Sequence, residues 1–518
     1  MAGAPLRPAL WHRDRRWRRL DDAARPAAVG ARSKAGIARI SGRRRPIFAI
    51  YTGTVFAASG AGQKQRGQAG MAEAGTLTVE TKGISQVTPE ETRGSPRALF
   101  GLWMAANVEF ATITTGALAT GAFGLSATDA IGAILLGNLI GAVILGLFST
   151  FGVEYGLPQM IQGAAWFGQL GNRLPSFLNF FGGFSWFGVN TIIGGYALEY
   201  MLGTGLIPNI IALCVIQVAI AAIGHDLIHA AEKYFFFLLV AIFLILSVFA
   251  ATHVGHLPPA NPKLLKNVGG TSGAFILTTS IIVAYVLGWI PYSSDYTRYL
   301  HHTGDRAATR RAVFANAFSA TFLSCVWMEV LGALIGATVA LSKPSDLFTP
   351  WMPHWFHAPL IIAIVIGTIS ANILNIYSAT LSSLALGFRL KQYQAALLSG
   401  AIGTVISVLA ATNFIKNYED FLFFLGYWTA PWIAVTMLAH YTRRRSRIGR
   451  GNAGFVAWIV GIAASVPFFN QYPLFVGSFA ATHPGFGDIS FAVSAVVAAC
   501  VFLALTTSAE TVAEEVAA

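Results

Sequence analysis

Leu287-Gly288-Trp289-Ile290-Pro291-Tyr292-Ser293-Ser294-Asp295-Tyr296 is the stretch on which the fold turns. It closes an apolar run that begins near residue 274 and interrupts it with a glycine, a proline and a row of polar groups. Pro291 has no backbone N–H and Gly288 relaxes the chain, so a helix entering here breaks or kinks. A second interruption, Ala105-Ala106-Asn107-Val108-Glu109-Phe110, lies inside an apolar run over about 99–122. A glutamate at that depth in a membrane costs about 2.5 kcal/mol or more and normally faces a cavity or a partner. The blander alternative is a neutral Glu109 hydrogen-bonded inside a helix bundle.

Both breaks sit in a chain built for hydrocarbon. Of 518 residues, 55% are hydrophobic and 11% charged, against about 25% charged in soluble domains. The apolar residues fall in blocks long enough to cross roughly 30 Å at 1.5 Å per residue. The expected spans are 99–122, 127–151, 176–201, 207–223, 234–252, 274–293, 312–340, 359–386, 393–411, 421–441, 455–475 and 486–506. This predicts an all-α membrane protein of about 12 transmembrane helices. Spans 1 and 6 hold the same place in two consecutive groups of five. Interrupted helices at matched positions of two halves point to a transporter's binding site.

Charge divides the chain sharply. Residues 1–70 hold 15 of the 35 Lys/Arg and three acids, which is the whole of the +12 net charge. The rest of the chain is neutral, so the basicity does not argue for a nucleic-acid partner. The expected organisation is a basic leader at 1–70 with Met71 as the start, a cytoplasmic segment at 71–98, a transporter domain at 99–506 and a cytoplasmic tail at 507–518. Loops after even-numbered spans carry thirteen Lys/Arg, from Arg173, Lys233, Arg298, Arg306, Arg310 and Arg311 to Arg389, Lys391 and the Arg443–Arg450 cluster. The alternate loops carry Lys263, Lys266, Lys343 and Lys416 only. That asymmetry places both termini on the cytoplasmic side of the plasma membrane.

Polar groups inside spans mark candidate sites. In span 3, Trp186 and Asn190 are four apart and share a helix face. An indole to stack on and an amide with donors and an acceptor suit a flat heteroaromatic ligand. Asn372 and Asn375 share a face of span 8 and can present a hydrogen-bonding edge; helix–helix adhesion explains such asparagines equally well. His225, Asp226 and His229 have the i, i+4 spacing of zinc helices without a third ligand nearby, so a polar helix end is the simpler reading. Asp295 and Arg298, three apart, read as a local ion pair. Cys214, Cys325 and Cys500 are scattered and suggest neither disulfide nor metal.

In order along the chain, Asn107-Val108-Glu109-Phe110-Ala111-Thr112, Trp186-Phe187-Gly188-Val189-Asn190-Thr191, Gly224-His225-Asp226-Leu227-Ile228-His229 and Asp295-Tyr296-Thr297-Arg298-Tyr299 resemble the nucleobase:cation symporter-1 family. The first of these resembles its bacterial purine–cytosine branch, and the likeness runs over about 95–505. It implies a LeuT-like five-plus-five inverted repeat with two extra C-terminal helices. It further implies a secondary transporter that imports a nucleobase, cytosine or a purine, by symport with H⁺ or Na⁺. Carriage of allantoin, hydantoin, uracil or thiamine is the alternative within the family.

By that resemblance Trp186 stacks on the substrate, Asn190 hydrogen-bonds it, Trp289 forms a second aromatic wall, and Asn372 or Asn375 supplies an amide. The coupling ion then sits between span 1 at Ala106, Asn107 and Glu109 and span 8 at Gly367 and Ser370. Ala371 stands where sodium-coupled members tend to have a hydroxyl residue, and Glu109 therefore favours a proton. No cofactor, resident metal, nucleic acid or obligate protein partner is expected; the partners are a small-molecule nucleobase and membrane lipid. An amino-acid carrier would need a stronger device for charged groups. An embedded enzyme would need a nucleophile–base pair or metal cluster at one depth.

Overall fold

The computed structural model describes residues 83–507 except 93, 224, 255, 301–304, 349–350, 389–391, 443–444 and 447–451; the side chains of 89, 221–235, 392–393, 395–396 and 445–446 are also outside the description. The chain divides into Met1–Lys64 and Gln65–Ala518, and everything below concerns the second unit. The leader, the tail beyond 507, the side chains of His225, Asp226 and His229, and the basic residues Lys233, Arg389, Lys391, Arg443, Arg444, Arg447 and Arg450 lie outside the described residues.

Helices occupy all twelve expected places, and the two expected breaks are present. Span 1 is Ala98–Asn107 followed by Phe110–Gly121. Between them Glu109 is extended, at φ −142 and ψ 168, and its carboxylate does not cap the second half. Span 6 is Gly270–Leu287, then a 3₁₀ turn Ile290–Tyr292, then Ser293–Thr297. The cause is local: Pro291 has no N–H to offer the Leu287 carbonyl, and the turn tightens instead through Tyr292 N–H to Trp289 O, 3.1 Å.

The unbroken spans are Ala127–Tyr155 (span 2), Arg173–Leu202 (3), Leu206–Ile223 (4), His225–His253 (5), Arg306–Gly336 (7), His354–Ala385 (8), Gln392–Ala410 (9) and Phe414–Thr442 (10). Their ends are written in sequence. Ser126 Oγ accepts from Asp129 N–H at the start of span 2, and Asp305 accepts from Ala307 and Ala308 N–H at the start of span 7. Spans 2 and 3 end on Gly156 and Gly203, both left-handed.

The last two spans are shorter than expected. Span 11 is Ala453–Ser465 and span 12 is Ser490–Ala504, against 455–475 and 486–506. After Ser465 the chain makes a 3₁₀ turn and a small hairpin, Asn470–Gln471 paired with Phe475–Val476. The buried Asp488 carboxylate ends this excursion by accepting from Asn470 N–H, Ser490 N–H and Tyr427 O–H. A run of apolar letters therefore overstated the helix, because the excursion itself is rich in Phe, Leu and Val.

Among the described residues six helices are long and apolar enough to cross a membrane by length and composition; the others are broken, shorter, or diluted by inward-facing polar residues and glycines, as in span 3. Spans 1, 2, 6 and 7 pack together as one bundle, and spans 3, 4, 8 and 9 pack as a second group. In the first bundle the backbones nearly touch: a Cβ added at Gly116 of span 1 would overlap the Glu329 carbonyl of span 7, and one at Gly332 would overlap the Ile113 carbonyl.

Where span 6 and span 8 end, the two groups are latched. Tyr296 of span 6 approaches the Leu374 carbonyl and Ser378 Oγ of span 8, each at 3.3 Å. Arg298, only 1% exposed, donates to the Gly83 carbonyl at 2.8 Å and to Tyr377 Oη of span 8 at 3.3 Å. Arg298 is thus a buried strut and not a free loop charge. Asp295 accepts from Gln159 N–H at 3.0 Å.

Candidate substrate and coupling site

Span 3 is glycine-rich where it meets span 8: a Cβ at Gly183 would lie 2.8 Å from Ala379 Cβ. That closeness brings the amides of the two helices into contact. Asn190 Nδ2 donates to Asn372 Oδ1 at 3.1 Å, and Asn375 Nδ2 donates to the same oxygen at 3.3 Å. Asn372 Nδ2 donates to the Phe187 carbonyl at 3.1 Å and to Gln217 Oε1 of span 4 at 2.8 Å. Thr191 Oγ1 lies 3.2 Å from the same amide and donates to Gln217 Oε1 at 3.0 Å.

The Phe187 carbonyl settles which way these amides point. A carbonyl only accepts, so Asn372 must turn its nitrogen toward it and its oxygen toward Asn190 and Asn375. Asn190 and Asn375 must then give nitrogens to Asn372. Their own Oδ1 atoms are left buried without a hydrogen-bond partner. Asn372 is saturated, whereas Asn190 and Asn375 each hold a spare acceptor. Burying such an acceptor unpaired costs about 1–3 kcal/mol, so both are poised for a ligand's N–H groups.

Trp186, one turn from Asn190, is 5% exposed. Its ring meets Tyr285 edge-on at 5.5 Å and Phe421 at 5.2 Å, with Tyr418 at 6.3 Å. Gly288 leaves room beside it, since a Cβ there would come within 3.1 Å of the indole nitrogen. Trp289, the expected facing wall, lies at the break of span 6, just before its 3₁₀ turn. Its ring meets Trp103 at 5.9 Å and Tyr292 at 6.0 Å, and the span 6 ring beside Trp186 is Tyr285, one turn earlier. Tyr285, Tyr418, Phe421 and Gln217 were not singled out from sequence. The one sequence signal for Tyr285 is its place, a hydroxyl-bearing ring in the apolar run just ahead of the break.

Tyr285 also reaches the break in span 1. Its hydroxyl lies 2.6 Å from Thr112 Oγ1 and 3.4 Å from Glu109 Oε1, and Thr112 Oγ1 donates to the Asn107 carbonyl at 2.7 Å. Glu109 Oε2 and Asn107 Oδ1 are buried without hydrogen-bond partners. Gly367 packs beside Glu109, its would-be Cβ 3.8 Å from Glu109 Cβ. Ala106 is buried; Ser370, three residues past Gly367, is partly buried with no described hydrogen bond to the break. Thus Glu109 and Gly367 meet, while Ala106, Asn107 and Ser370 flank them. Among the described residues no group of His, Cys, Asp or Glu is arranged to hold a metal, and Cys214, Cys325 and Cys500 are free.

A multi-pass helical protein with two broken spans beside buried amides, edge-packed rings and a buried carboxyl with an unpartnered oxygen is a membrane transporter. Residues 86–494 match the family described as permease for cytosine/purines, uracil, thiamine, allantoin, and the chain belongs to that family. It is 30% identical to YxlA of Bacillus subtilis (strain 168), assigned as a purine-cytosine permease, over 83% of this chain and 96% of that one. It is 28% identical to a purine-cytosine permease of Saccharomyces cerevisiae over 72% of each. Among solved structures it resembles a nucleobase-cation-symport-1 family transporter in a closed conformation with bromovinylhydantoin bound, with a TM-score of 0.65, 16% identity, and 82% and 95% of the two chains covered. The fold is the LeuT-like inverted repeat, and the chain is a nucleobase-class transporter.

Proposed function

We propose that this transporter imports cytosine or a purine base together with a proton, by alternating access. Trp186 stacks on the ring, and the spare oxygens of Asn190 and Asn375 accept its N–H groups; these two buried, unpaired oxygens carry the reading. Relatives named as purine-cytosine permeases support the substrate class. Trp289 with Trp103 lines the approach from span 6, and Asn372 holds the amides in register. Spans 1, 2, 6 and 7 rock against spans 3, 4, 8 and 9, and the loop-charge asymmetry puts the Arg298 latch and both termini in the cytoplasm.

Proton accounting at span 1 supports H⁺ over Na⁺. With Thr112 donating to Asn107, Tyr285 must donate to Thr112, and a neutral Glu109 completes the chain by donating to Tyr285. Each hydroxyl proton is then used once. An ionised Glu109 reverses the chain: Tyr285 turns to the carboxylate, Thr112 turns to Tyr285, and the Asn107 carbonyl loses its partner. Loading a proton thus resets hydrogen bonds at the helix break itself. Sodium would need several oxygens, and Ala371 and Gly367 offer no side-chain oxygen.

The test is uptake of radiolabelled cytosine, adenine and hypoxanthine against a panel of uracil, allantoin, hydantoin and thiamine, with and without sodium and across pH. Expected is sodium-independent, acid-stimulated uptake of an amino- or oxo-purine or of cytosine, cut roughly tenfold or more when the base's N–H groups are methylated, as one lost buried hydrogen bond implies. Glu109→Gln is expected to weaken the response to the pH gradient. Sodium-driven uptake that ignores pH would refute the coupling assignment.

A further inference from the structure

A second carboxyl lies buried in the moving bundle, outside the site just described. Glu329 of span 7 is 0% exposed. One of its oxygens accepts from Asn138 Nδ2 of span 2, and the other, Oε1, has no hydrogen-bond partner. Asn138 is oriented by its second donation, to the Ile134 carbonyl at 3.0 Å, so its own Oδ1 is also left unpaired. Two adjacent buried oxygens therefore lack any donor. Nothing neutralises the carboxylate: no Lys, Arg or His among the described residues pairs with it. Its ionisable neighbours are Cys325 on the same helix and Tyr418 of span 10, with Glu109 interacting with the same two groups.

A carboxylate in that setting is costly; a carboxylic acid is tolerable. The backbone that carries the carboxyl is itself pressed against Gly116 of span 1, without room for a methyl group. Spans 2 and 7 hold the same position in the two repeats, so the pair sits where the halves of the bundle meet. Thr115, beside Gly116, has its hydroxyl 2.6 Å from Tyr418 Oη, and Tyr418 abuts Trp186. The Thr115 and Tyr418 hydroxyls thus meet on the element that packs against Glu329, between it and the aromatic wall, and neither bonds to its carboxyl.

We propose that Glu329, oriented by Asn138, is a second proton-carrying carboxyl of this transporter, loaded while the bundle carries substrate inward. It rests on the reading that transport is proton-coupled, and extends it. A proton from water on the outer side bonds to Oε1 and leaves that oxygen for water on the inner side; no other bond changes. The neutral form lets the bundle move without a buried charge, and the ionised form holds it back.

The experiment uses the purified full chain in proteoliposomes. Two quantities are measured with the base that the protein transports best: substrate-driven proton influx from an internal pH dye, and exchange of labelled for unlabelled base, which needs no net proton movement. For Glu329→Gln the ratio of proton influx to exchange is expected to fall by about half, since the Glu109 proton is still carried. A ratio equal to the parent's overturns the proposal, and if Glu109→Gln lowers it in the same preparation, coupling through Glu109 still stands. If Glu109→Gln leaves the ratio intact and Glu329→Gln lowers it, the Glu109 reading fails and Glu329 stands as the carrier. Should Glu329→Gln not fold, Asn138→Ala provides the reading. Removing a donor that favours the carboxylate should extend uptake to higher pH by about one unit; lowered uptake with an unmoved pH profile overturns the proposal.

Discussion

At the residue scale, the division of labour among three asparagines follows from one carbonyl. Phe187 O orients Asn372, and Asn372 in turn leaves Asn190 and Asn375 with spare oxygens. Asn372→Ala should therefore act through stability. It takes away the acceptor of the Asn190 and Asn375 amide nitrogens, while Gln217 keeps the Thr191 hydroxyl; at about 1–3 kcal/mol for each buried group left unpaired, detergent-solubilised protein should melt several degrees lower. Asn375→Ala removes a spare acceptor and should weaken uptake with little change in melting. Trp186→Ala should raise the apparent KM about tenfold or more, since stacking a base on an aromatic ring contributes about 1–3 kcal/mol, and Trp186→Phe should recover part of it. Intact uptake by a membrane-expressed Trp186→Ala protein would remove the stacking role. Which asparagines faced each other was not legible in the sequence: their spacing showed shared faces, but the amide orientation depends on a carbonyl from another helix.

At the element scale, the breaks in spans 1 and 6 were legible because proline chemistry and a mid-span acid act locally. The partner of each break was not. Span 1's second half lies against span 7 because Gly116 and Gly332 remove the side chains that would hold the helices apart. Gly116→Leu drives a side chain into the Glu329 backbone, and overpacking of this kind costs roughly 1–3 kcal/mol or more. The expected outcome is a lower melting temperature by fluorescence-detected size exclusion and a loss of uptake at equal expression. Gly101→Ala in the first half of the same span has open space around it and should be silent in both assays. Spans 11 and 12 show where apolar content misleads: Phe469, Leu474, Phe475 and Val476 belong to a turn and a hairpin that Asp488 gathers.

At the scale of the whole molecule, the conformation is set by contacts between the two groups of spans. At the C-terminal ends of spans 6 and 8, Tyr296 and Arg298 reach the Leu374 carbonyl, Ser378 and Tyr377. Tyr377→Phe removes the hydroxyl that Arg298 donates to, and should open that side more often. A cysteine placed at Ser378 is expected to react several-fold faster with a membrane-impermeant thiol reagent applied from the cytoplasm in the Tyr377→Phe background. An unchanged rate would mean that the latch lies elsewhere. The same experiment checks orientation, because the reagent must act from the side that the Lys/Arg asymmetry assigns to the cytoplasm.

Taken alone, the chain's order of residues determined that it crosses the membrane many times, that its net charge is confined to residues 1–70, and that spans 1 and 6 break. These features depend on hydrophobic length, on local charge count and on backbone chemistry within a few residues. Tertiary structure decided the rest. It set Tyr285 edge-on beside Trp186; it made Asn372 a strut and left Asn190 and Asn375 with free oxygens; it buried Arg298 as a latch and Glu329 without a counter-charge among the described residues. Each of these depends on what a helix hundreds of residues away presents at the same depth, and spacing along one helix carries no record of that.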